Sequence, residues 1–80
     1  MKLTRQEVLS TRDTVNRVLS SSPLLTPVDS WVTEVSAGGK VKIKVNSRPL
    51  AVRVAINLFP ELRGELGSEF EFDAQYDRTL

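Results

Sequence analysis

The segment LAVRVAINL, residues 50 to 58, decides the fold of this chain because it can be read at two periods. At a period of two, Leu50, Val52, Val54, Ile56 and Leu58 form one face, and Ala51, Arg53, Ala55 and Asn57 form the other. The β-branched residues and the two-residue spacing predict a strand. Its second face is small and only partly polar, which suggests a central strand with something lying over part of that face. The competing reading is a helix that begins at Pro49, a favourable first-turn residue.

Outward from this segment the period of two continues. KVKIKVN (40 to 46) sets Val41, Ile43 and Val45 on one side and Lys40, Lys42 and Lys44 on the other. WVTEVS (31 to 36) reads as a preceding strand, and AGG between them offers the positive-φ positions of a tight hairpin. NSRP is a second turn signal. EFEFDAQYD (69 to 77) is a last strand, with Phe70, Phe72, Ala74 and Tyr76 on one face. The link FPELRGELGS accommodates one helical turn in ELRGEL before Gly67, and the tail DRTL is expected to fray.

The N-terminal part has a period near 3.6. Thr4 and Glu7 have the spacing of a capping box, and Leu3 and Val8 that of a hydrophobic staple. Val8, Thr11, Val15, Val18 and Leu19 then line one stripe of a helix over about 5–20, which SSSP ends. Residues 21–29 form a linker with two prolines, and Leu24, Leu25 and Val28 are expected to tuck against the core. The predicted fold is a single α+β domain: one N-terminal helix packed on a four-stranded, mainly antiparallel sheet over 31–77, in the order α-β-β-β-β.

Composition narrows function by exclusion. The chain has 80 residues, and a domain of this size buries only about 60 to 65% of its unfolded surface, so association would help it. It contains neither histidine nor cysteine, which removes the usual general base, thiol nucleophiles and the commonest zinc ligands. No catalytic residue, cofactor or metal site is therefore expected. No apolar run suggests a bilayer span, and MKLTRQEVL lacks the apolar core of a secretory signal, so a cytoplasmic location without membrane contact is expected. SAGGK and RGELGS lack the spacing and context of phosphate or dinucleotide loops. The carboxylates at 69, 71 and 73 project in a row instead of round a point.

The net charge of +1 hides a polarity along the chain. Lys40, Lys42, Lys44, Arg48 and Arg53 occupy 40 to 53 with no acid among them, while Glu61, Glu65, Glu69, Glu71, Asp73 and Asp77 follow against Arg63 alone. On a four-stranded meander this predicts a trough. Its floor is Ala51 and Ala55 with Arg53, and its walls are the lysines on one side and Glu69, Glu71 and Asp73 on the other. The bland reading is a solvated face whose charges pair loosely, each pair contributing about 0 to 1 kcal/mol.

The functional reading is a protein-binding face that docks a twofold copy as a homodimer, lysine rim to acidic rim, with Trp31 as an interface anchor. Nucleic-acid binding through the basic run 40–53 is the alternative. It is weakened by the acids nearby and by aromatics on the opposite face. The sequence thus predicts a small non-enzymatic interaction module that self-associates and binds another macromolecule. A regulator or inhibitor of the kind carried by phages and mobile elements fits by analogy.

Overall fold

Residues 50 to 58 fold as a helix. In the computed structural model, which describes residues 1–80, the elements run α1 (Arg5–Ser21), β1 (Trp31–Val35), β2 (Lys40–Val45), α2 (Arg48–Asn57), α3 (Phe59–Leu66) and β3 (Glu71–Tyr76). The NSRP signal proves to be a helix start. The Ser47 hydroxyl accepts from the Leu50 N–H at 3.1 Å, and Pro49 sits in the first turn, where its missing N–H leaves no bond unmade. Leu50, Val54 and Leu58, four residues apart, share the buried face of α2, each at most 4% exposed. Packing of that stripe outweighs the modest strand preference of the valines.

The expected four-stranded, mainly antiparallel sheet is therefore corrected to a mixed sheet of three strands in the order β1-β2-β3. β1 pairs antiparallel with β2 and β3 pairs parallel with it. A parallel return needs a long crossover, and α2 and α3 supply it. The single turn foreseen in ELRGEL is the eight-residue helix α3, opened by Phe59-Pro60 and closed at Gly67 with φ 98°.

The signals at the start of α1 and at the hairpin agree with the structure. Thr4 and Glu7 form the reciprocal capping box, with Thr4 N–H to Glu7 Oε1 at 2.9 Å and Glu7 N–H to Thr4 Oγ1 at 3.2 Å. The hairpin turns at Gly39, whose φ of 87° suits a residue without a side chain. Met1 Sδ lies where a Cβ on that glycine would project. Leu24 and Leu25 pack on the core, but Val28 is 81% exposed, contrary to the expectation that it is tucked in.

All three helices share one face of the sheet. Val15, Val18 and Leu19 of α1, Val41, Ile43 and Val45 of β2, Leu50 and Val54 of α2, and Phe59 and Leu62 of α3 belong to one buried cluster. Burying each such side chain contributes roughly 1.5 to 3 kcal/mol before the entropy of ordering is subtracted. The other sheet face carries no helix and holds the charged residues.

Candidate functional site

The uncovered face follows from strand alternation. On β2 the odd positions Val41, Ile43 and Val45 point to the helices, so Lys40, Lys42 and Lys44 point outward. In the parallel register Lys40 faces Glu71, Lys42 faces Asp73 and Lys44 faces Gln75. On the other flank Glu34 faces Lys42 and Val32 faces Lys44. The lysines thus form a central column bordered by acids on both sides, and the stretch they meet is the chain's own EFEFD.

Contact is loose despite this order. The ion pair on the face is Lys44 Nζ to Glu34 Oε2 at 3.4 Å; the other in the molecule, Arg17 to Glu65 at 3.4 Å, ties α1 to α3. Asp73 accepts from Gln75 Nε2 at 2.7 Å and has no cation within ion-pair distance. At the end of β3 the Asp77 carboxyl is held below its ordinary pKa, first by the Thr79 hydroxyl at 2.6 Å and then by the Thr79 N–H at 2.9 Å.

The predicted trough does not exist. Because α2 is a helix on the far side of the sheet, Ala51 and Ala55 are half-buried against the core and provide no floor between charged walls. Arg53 lies exposed on α2, and Arg48 at its start holds its guanidinium 5.2 Å from the centre of the Tyr76 ring. The basic run is divided between β2, which carries the lysines, and α2, which carries the arginines; Arg48 lines one cleft with Lys44, whereas Arg53 does not. Glu69 precedes β3 and is exposed, whereas Trp31 is half-buried on the helix-facing side of β1, packed against the core. The structure gathers Lys40, Lys42, Lys44, Glu71 and Asp73 into one face and leaves the other expected partner-binding residues apart.

Two exposed residues escaped the sequence reading. Val52 and Ile56, one helical turn apart on α2, are 57% and 66% exposed, on the side of the helix opposite Leu50 and Val54. Both fell in the set assigned to the core. The spacing of four within Leu50, Val54 and Leu58 was the signal that could have separated them.

The pockets of the surface are shallow clefts lined mainly by polar side chains, one of them framed by Lys44, Arg48, Tyr76 and Arg78 at the end of β3. No three acids are grouped to hold a metal ion, and no helix is long and apolar enough to cross a membrane. No family model, curated protein or solved structure matches this chain.

Proposed function

We propose that the chain is a non-enzymatic protein-binding module of the cytoplasm, acting as a regulator or inhibitor by docking on a partner protein through the outer ridge of α2. The observation that carries this reading is the pair Val52 and Ile56, 57% and 66% exposed at the crest of a helix whose opposite side is already buried. A helix apolar on both sides is ordinarily enclosed by protein on both sides. Pro49, exposed one turn before Val52, extends the ridge, and Arg53 beside it supplies a charged rim of the type common at interfaces.

Self-association uses the same ridge. Two copies of α2 packed antiparallel about a twofold axis set Val52 of one against Ile56 of the other, closing both ridges at once. Nucleic-acid binding has less support, because a polyanion approaching Lys40, Lys42 and Lys44 also meets Glu34, Glu71 and Asp73 in the adjoining columns.

The test is the double variant Val52→Glu/Ile56→Glu, which alters no buried side chain and should leave the thermal unfolding curve near its original midpoint. Affinity capture from the native host should recover a partner with the original chain and lose it with the variant. Light scattering across a concentration series reports dimerisation through the ridge. Recovery of the same partner by both proteins would falsify the reading.

A further inference from the structure

β3 is an edge strand whose outer side is unfinished. Its odd residues bond to β2, as Glu71 N–H to Gly39 O at 3.0 Å and Asp77 N–H to Val45 O at 2.8 Å show. By the alternation of a parallel ladder, the N–H and C=O groups of Phe72, Ala74 and Tyr76 then point away from the sheet. None of these groups takes part in the hydrogen bonds made by turns, caps or side chains. The inner side chains tell the same story. Val41, Ile43 and Val45 of β2 are 0% exposed, whereas Phe72 and Ala74 are half-buried and Tyr76 is 41% exposed.

The opposite edge, β1, also leaves outward backbone groups but differs in its side chains. At β1 the side chain of Thr33 is engaged by Asn16 of α1 at 2.7 Å, and the Glu34 carboxylate is paired with Lys44. Along β3, Glu69, Glu71, Asp73 and Asp77 carry negative charge with no cation between residues 69 and 77, and none of the four is in an ion pair.

We propose that the β3 edge accepts an extended segment of a partner protein in which lysine or arginine alternates with aliphatic residues, adding a fourth strand to the sheet. The added backbone bonds to the outward groups of Phe72, Ala74 and Tyr76, the mode of recognition known as strand addition. Its aliphatic side chains pack beside Ala74 on the inner flank, between the Arg63 and Arg48 guanidinium groups that lie over the Phe72 and Tyr76 rings, and its cations stand beside Glu71 and Asp73 on the open face. A second copy of β3 is a poor occupant. A twofold pairing centred on Asp73 opposes it to itself, and one centred on Ala74 opposes Glu71 to Asp77. The proposal rests on the protein-binding reading above but uses a different surface.

The probe is a ten-residue peptide alternating lysine and valine, titrated against the full chain while amide exchange is followed by NMR. Saturable binding should protect the amides of Phe72, Ala74 and Tyr76 and weaken as salt is raised. Ala74→Pro removes one outward N–H without touching a bond to β2, a substitution that edge strands tolerate, and should weaken binding at least tenfold. Glu71→Lys/Asp73→Lys leaves the backbone unchanged and should transfer preference to a glutamate-valine peptide, so the proposal stays testable if the proline variant fails to fold. Protection at Trp31, Thr33 and Val35 instead, an affinity for the lysine-valine peptide that neither variant changes, or no binding at millimolar peptide overturns it. If the peptide fails while host capture still depends on Val52 and Ile56, strand addition falls alone; if capture is also independent of the ridge, both readings fall.

Discussion

The hydroxyl of Thr33 donates to Asn16 Oδ1 at 2.7 Å, and this is the one side-chain hydrogen bond between α1 and the sheet. Thr33 is 9% exposed, so its hydroxyl has little access to water. Asn16→Ala should therefore cost about 1 to 3 kcal/mol, the cost of leaving a buried polar group unpaired. Thr33→Val in the same background should recover part of it. A double-mutant cycle on thermal melts measures the coupling.

The helical twist of α2 can be tested with two identical truncations. Val54 is 0% exposed and Val52 is 57% exposed, although a strand would bury both. Val54→Ala should cost about 2 kcal/mol, and Val52→Ala should stay within about 0.5 kcal/mol. In a domain of this size the first corresponds to a drop of roughly 8 to 16 °C in melting temperature. Equal losses from the two would mean that the segment is not helical.

Ser47 caps α2, and no acid stands in the first turn of that helix. Ser47→Ala should lose about 1 kcal/mol with the bond to the Leu50 N–H. Ser47→Asp keeps an acceptor and adds a charge favoured at a helix N-terminus, so it should match or exceed the original stability. Denaturant midpoints at constant slope distinguish the two.

The hairpin glycines should behave differently although they are neighbours. Gly39 has φ 87° and the Met1 thioether fills the space beyond it, so Gly39→Ala should cost about 1 to 2 kcal/mol. A Cβ on Gly38 meets only Ser36 Oγ, at an ordinary 3.7 Å, and Gly38→Ala should be nearly neutral. Removing Met1 should ease only the steric part of the Gly39 penalty.

Two carboxyls titrate below their ordinary values: Glu7, through the Thr4 N–H and then the Thr4 hydroxyl, and Asp77, through the Thr79 hydroxyl and then the Thr79 N–H. A depressed folded-state value means that each contribution is complete above the unfolded value, near about 4 for these groups, and vanishes as pH falls through the folded one. Acid should thus loosen the start of α1 and the end of β3 before the core. NMR titration of the side-chain carboxyls checks both midpoints, and Thr79→Val should return Asp77 towards its ordinary value.

Much of the fold was legible where one period was unambiguous. The capping box of Thr4 and Glu7, the stripe Thr11, Val15, Val18 and Leu19, and the Val41-Ile43-Val45 alternation all had a single reading, and each is an observed feature. Residues 50 to 58 had two. A set spaced by four, Leu50, Val54 and Leu58, is contained in a set spaced by two, and with Val52 and Ile56 also apolar the segment satisfied both templates. Helix α2 is apolar towards the core and towards solvent, so the contrast that marks an amphipathic helix was missing. That one segment carried the candidate site with it, since Ala51 and Ala55 leave the sheet when the strand does. With no strand between them β2 and β3 pair directly, so Lys40 and Glu71, expected on strands two spacings apart, are immediate neighbours.

The parallel pairing of β2 with β3 joins Lys40 to Glu71, residues that two helices keep far apart along the chain, whereas the β1–β2 hairpin closes over a few residues at Gly39. Loop closure over that distance must precede any reward from the ladder, so β3 is expected to assemble last and to detach first. Each detachment strips cover from Val41, Ile43 and Val45 and leaves the central strand as a temporary border. The lysines alternating with those residues then act as gatekeepers, their mutual repulsion discouraging two half-opened molecules from joining along β2.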